Sequence, residues 1–185
     1  MLENVIIGRN VKYAQGIDFG SGVQFVTQGF GIDRFGDFMP TRTNFLGNIR
    51  TQKQRHANGI KLSRNIASTV QIKNKLFIEA EHVGESAEFL IVCYYKSATR
   101  SIAYMRDENN WKVWDGEVGS LQAAVQYDSL PEKMEIIVFE GDLSEMPGTF
   151  TLFSGYRLDR SQSIIYNGDE PIRFFVINQS GFFGE

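Results

Sequence analysis

Residues 149–158 read TFTLFSGYRL. Phe150, Leu152, Tyr156 and Leu158 share one parity, which puts them on one face of an extended strand. The surrounding chain repeats this texture. Runs rich in β-branched and aromatic residues recur at intervals of roughly ten residues. They are STVQIKNKLFIEAE, AEFLIVCYYKS, RSIAYMRD, NWKVWDG, EIIVFEG, SIIYN and PIRFFVIN. Turn-forming clusters separate them: 82–86, 107–110, Asp115-Gly116, Met146-Pro147-Gly148 and 167–171. Strands of this length and spacing, without long helices between them, predict an all-β, immunoglobulin-like antiparallel β-sandwich. One piece, SLQAAVQY at 120–127, fits either a short helix or a strand crossing between sheets. Pro171 opens the last strand, where a missing N–H is tolerated at an edge.

Upstream the texture changes. Phe19, Phe25, Phe30, Phe35, Phe38 and Phe45 recur among closely set glycines, with irregular spacing. That irregularity excludes a solenoid repeat, and the glycines oppose a helix. NVIIG and VQFVT read as short extended pieces. Asn58-Gly59, between IRTQKQRHA and IKLSRNI, predicts a hairpin near 58–59. The two textures divide the chain into an extended Gly/Phe-rich basic arm, 1–65, and a β-sandwich domain, 66–185.

Charge follows a similar division. The total is −3, but residues 38–78 carry eight Lys/Arg and no Asp or Glu, while residues 79–185 carry eighteen acids. Arg42, Arg50, Lys53, Arg55, Lys61 and Arg64 belong to the basic block. A basic segment and an acidic domain in one chain suit head-to-tail docking between copies, with charge setting register and encounter rate. The phenylalanines of 19–45 would supply the buried area of that contact. Nucleic acid fits less well, because a binder of that kind usually shows a basic excess overall. The expected partner is therefore a second copy of the chain. The N-terminal arm and its basic residues, Phe19 to Arg64, form the expected subunit interface.

The chain matches none of the catalytic templates. Cys93 stands alone in an apolar run, so no internal disulfide forms and a buried thiol is expected. His56 and His82 lack metal-ligand spacing. Phe153-Ser154-Gly155 lacks the nucleophile elbow, and GFGIDRFG lacks the dinucleotide spacing. No catalytic residue, metal or cofactor is expected. No apolar run is long enough for a membrane span. The first sixteen residues lack a signal peptide's apolar core, so either export takes another route or the chain is a trimmed form. Trp111 and Trp114, three apart in a strand, should face opposite sides. One reading is a core ring plus an edge ring. The other is a sugar-stacking platform, with Asp115 supplying polar contacts to a glycan.

Five marks in order carry a resemblance over residues 79–176: AEHVGESAEFLIVCYY, NWKVWDG, GSLQAAV, PGTFTLFSGYRL and SIIYNGDEPIRFFV. Together they resemble a β-sandwich domain of bacterial surface and secreted multi-domain proteins. The resemblance implies an extracellular or cell-surface location, and with the docking expected above it points to a non-enzymatic structural subunit of an extracellular filament, pilus-like fibre or surface layer; a carbohydrate-binding or adhesin module, or a virion structural protein, is the alternative. It implies no catalytic residues.

Overall fold

A computed structural model describes residues 25–52, 54–108 and 110–178, with only the backbone of Phe25. Among these residues fifteen strands follow in chain order. The first six are β1 (Phe25–Gln28), β2 (Phe30–Ile32), β3 (Phe38–Met39), β4 (Asn44–Thr51), β5 (Arg55–His56) and β6 (Ile60–Ser63). Next come β7 (Val70–Phe77), β8 (Ala87–Lys96), β9 (Ser101–Arg106), β10 (Trp111–Val113) and β11 (Val125–Tyr127). The last four are β12 (Lys133–Gly141), β13 (Gly148–Leu158), β14 (Ile164–Tyr166) and β15 (Ile172–Ile177).

The strands form two sheets. A five-stranded sheet runs β1-β4-β7-β12, with β5 on β4. A ten-stranded sheet runs β10-β9-β8-β13-β14-β2-β3, with β11 on β8, β15 on β13 and β6 on β15. Every pairing is antiparallel except β6 with β15. The spine is β13. One edge pairs β8 along the strand, and the other is shared between β15 (Gly148 to Leu152) and β14 (Gly155 to Arg157).

Two-residue alternation builds the core between the sheets. Val70, Ile72 and Leu76 point inward from β7, and Met134, Ile136 and Val138 from β12. Phe89, Ile91, Phe150, Leu152, Tyr156 and Leu158 meet them from the ten-stranded sheet. The all-β, two-sheet sandwich expected from the sequence is the architecture found, antiparallel apart from the β6–β15 pair. Phe150, Leu152, Tyr156 and Leu158, which share one parity in TFTLFSGYRL, are all buried. The ambiguous segment at 120–127 resolves into the end of a 3-10 turn, Val118–Ser120, and then β11.

Two expectations are corrected. From Phe25 onward the chain is no arm: β1 and β4 lie in the five-stranded sheet, and β2, β3 and β6 in the ten-stranded one. Phe45, Ile49 and Leu62 are fully buried in the common core, so the sandwich does not begin at residue 66. The rest of the expected arm, 1–24 with Phe19, lies outside the described residues. The hairpin near 58–59 is also absent, although its turn is present. Gly59 takes φ +80°, a conformation that suits glycine. Yet β5 pairs with β4, while β6 runs parallel to β15. The cause is Asn58, whose amide donates to Pro171 O at 3.1 Å and accepts from Arg173 N at 2.6 Å. These bonds steer the strand after the turn onto β15.

Candidate functional site: an aromatic cleft on the outer face

An ordinary sandwich sheet has a polar outer face. β8 does not, since Leu90 and Val92 are buried on the side away from the core. Two pieces of chain partly cover that side. One is the segment after β10, carrying Trp114, Val118 and Leu121. The other is the β2–β3 turn, carrying Ile32 and Gly36. Between them lies a cleft of about 190 Å³. Leu90, Val92, Tyr94, Trp114, Phe153 and Tyr166 form much of its wall, and among the described residues no charged side chain lines it.

The rings form a continuous band. Tyr94 meets Trp114 edge-on at 6.2 Å and Phe153 at 5.7 Å. Phe153 lies 6.2 Å from Tyr166, which meets Phe30 at 5.6 Å. Phe30 then lies 4.9 Å from Phe38. Tilted and edge-to-face pairs at these separations are the favoured geometries of aromatic quadrupoles. Burial, with smaller contributions from Asp169 and Tyr94, pushes the Tyr166 phenol up to about 12. The Tyr94 phenol is also raised by burial. Both rings therefore stay neutral, and the band is apolar with hydroxyl donors.

The rim is rigid. Asp33 Oδ1 accepts from Phe35 N at 2.8 Å and from Asp37 N at 2.9 Å, closing the β2–β3 turn. That turn holds Phe35 74% exposed and Phe38 65% exposed, with the Arg34 guanidinium 4.6 Å from the Phe35 ring centre. On the opposite side, Trp114 is only 7% exposed. Its Nε1 donates to Glu117 O at 3.0 Å and Ser120 Oγ at 3.1 Å. Asp115 accepts from the Ser120 hydroxyl at 2.6 Å and from Glu117 N at 2.9 Å. Those bonds hold the exposed Asp115 carboxyl below its ordinary range.

A depressed folded pKa means that the stabilisation is present above the unfolded value, near 4, and is lost as pH falls through the folded one. Acidification below about pH 4 should therefore loosen the Trp114 covering. The Trp114 indole N–H resonance, followed by NMR against pH, should move in that window. In Ser120→Ala the midpoint should rise toward the ordinary aspartate value.

The sequence-predicted residues are scattered over the molecule. Lys53 lies outside the described residues, and Phe25 is known only as backbone in β1. Phe30, Phe35 and Phe38 gather at the cleft, whereas Phe45 is wholly in the core. Arg42, Arg50, Arg55 and Lys61 are exposed. Arg64 donates to Ser144 O at 2.9 Å and pairs with Glu145 at 2.9 Å. Lys73 pairs with Glu135 of β12 at 2.7 Å, and Gln71 reaches Glu140 at 3.2 Å. The acids missing from 38–78 are thus supplied in part by the neighbouring strand of the same chain. Trp111 and Trp114 do face opposite sides: Trp111 packs against Phe139 beside the core, and Trp114 on the outer cluster. The cleft wall from β8, β13 and β14 went unread. A signal existed in AEFLIVCYY, where an unbroken apolar run marks a strand covered on both faces.

A second cluster ties the sheets together. The Tyr156 hydroxyl, fully buried, lies 2.8 Å from both Thr43 Oγ1 and His82 Nδ1. Glu79 accepts from Thr41 Oγ1 at 2.5 Å and Arg42 N at 3.0 Å, and its carboxylate is 3.0 Å from His82 Nδ1. Burial pushes the Tyr156 phenol well above its usual range. The cluster is a latch between the start of β4 and β13.

No family model matches the chain, and no curated protein matches it. A solved structure of murine CRIg is similar at a TM-score of 0.33 and 8% identity, over 72% of this chain and 98% of that one.

Proposed function

We propose that the protein is a non-enzymatic structural or adhesion module that self-associates through the outer face of its ten-stranded sheet. The supporting observation is the pairing of a projection with a receptacle. Phe35 and Phe38 stand exposed on a rigid turn at the rim of an apolar cleft. At interior packing density the cleft holds roughly one aromatic side chain. A projection beside its own receptacle is satisfied by two-fold pairing, in which each copy fills the other's cleft. Full burial of a phenylalanine contributes about 1.5–3 kcal/mol. One ring seated in each cleft, with the second packed at its rim, gains an amount comparable to the cost of association, so the dimer is weak and concentration-dependent.

Placement in a bacterial extracellular assembly rests on the sequence resemblance over 79–176. A filament would need a second, head-to-tail contact, for which residues 1–24, with Phe19, and the exposed Arg50, Arg55 and Lys61 are the candidates. A glycan platform is less favoured, because Trp114 is buried and Asp115 is committed to its own turn.

Sedimentation velocity over a concentration series tests the proposal. Wild-type protein should dimerise, with little response to salt because the contact is apolar. Phe35→Ser with Phe38→Ser should weaken association at least tenfold while leaving the circular dichroism unchanged. A wild-type protein that stays monomeric at millimolar concentration contradicts it. An association that salt dissolves points instead to the charged faces.

A further inference from the structure

A second apolar pocket, half open to solvent, lies between the two sheets, separate from the outer cleft. It occupies about 240 Å³ where β9 and β10 of one sheet face β12 of the other. Cys93, Tyr95, Phe150 and Phe174 form much of its wall, and Trp111 and Phe139 stand on the side of β10 and β12. Among the described residues no charged side chain lines it.

Three features shape this space. Phe150 and Phe174 are stacked, with centroids 4.9 Å apart and planes 5° from parallel, and Tyr95 leans on the same pair at 4.9 Å. The Tyr95 hydroxyl is turned away to Pro147 O at 2.9 Å. A register shift between Ile137 and Phe139 interrupts β12 opposite the space. Trp111 and Phe139, 6.3 Å apart and both half-buried, flank the pocket's opening between β10 and β12.

Water gains little in such a place, since it needs two or more polar partners to stay. Apolar cavities of roughly 150 Å³ remain dry and take up benzene or xenon. A wall with aromatic faces and a thiol favours a neutral, planar, apolar guest. We propose that this half-open inter-sheet pocket is a binding site for a small uncharged aromatic molecule of about ten carbon atoms, the number that interior packing density allows. The Trp111–Phe139 pair is its entrance. The site stands independently of the self-association proposed above.

The probe is 4-fluorotoluene, observed by ¹⁹F NMR against full-length protein. Saturable line broadening is expected. Cys93→Met, which fills the cavity from its wall, should weaken binding at least tenfold. Phe35→Ser with Phe38→Ser should leave it unchanged. Cys93 is the chain's single cysteine, and burial pushes its thiol up to about 12, so it reacts slowly. Saturating 4-fluorotoluene should slow its modification by methyl methanethiosulfonate at least tenfold further. This measurement uses wild-type protein and stands even if the methionine variant does not fold. No saturable broadening, or binding that leaves the Cys93 rate unchanged, overturns the proposal.

Discussion

Gly155→Ala should destabilise the sandwich by about 4 kcal/mol or more, among the largest effects of any single substitution. A methyl group there would lie 2.0 Å from Ile165 O, 2.6 Å from Tyr166 Cβ and 2.7 Å from Tyr166 Cα. Two of these are backbone atoms of β14, and the third is fixed to that backbone, so no flexible side chain can swing aside. Gly155 and Tyr166 are direct partners in the β13–β14 ladder. Relief would require the two strands to part, losing their hydrogen bonds. Gly155 also lines the outer cleft, and its close approach to β14 helps set Tyr166 beside Phe153. The melting temperature should fall by about 10 °C or more for a domain of this size. Gly119→Ala is the control, since nothing lies within 4 Å of its added carbon. A Gly155→Ala protein that melts with the wild type would refute this packing.

The second large effect belongs to the Glu79 latch. Glu79→Ala removes the acceptor for the Thr41 hydroxyl and the Arg42 N–H, and the carboxylate beside His82. Thr41 is buried and the Glu79 side chain is 10% exposed, so water replaces these partners poorly. The expected cost is about 3 kcal/mol. Glu79→Gln keeps a carbonyl acceptor and should cost about 1 kcal/mol. Urea unfolding of the two variants separates charge from hydrogen bonding. The midpoint should fall much further for alanine, with the slope unchanged. An alanine variant within about 0.5 kcal/mol of wild type, the range of surface substitutions, would show that the latch contributes little.

These two sites also show which parts of the molecule can be read from its sequence. The strands of 66–178 were legible because alternation is local, and TFTLFSGYRL shows it within ten residues. The membership of 25–65 was not. Its glycines and phenylalanines resemble an arm, and only the pairing of β4 with β7 reveals Phe45 and Ile49 as core. The acid-free block was only partly legible for a similar reason. Lys73 and Glu135 are far apart in sequence but are joined across the β7–β12 pairing. The outer cleft was half visible. Phe30, Phe35 and Phe38 stood out by composition. Tyr94, Phe153 and Tyr166 did not, because they come from three strands whose neighbourhood exists only in the folded sheet.

The most direct test of the central claim, that the aromatic outer face is where this protein meets its partner, is the concentration dependence of the amide spectrum of wild-type protein. On raising the concentration, shifts should concentrate in the β2–β3 turn around Phe35 and in the cleft strands near Tyr94 and Tyr166. Shifts confined to the basic outer face around Arg50 and Lys73, or no shifts at any concentration, would contradict it.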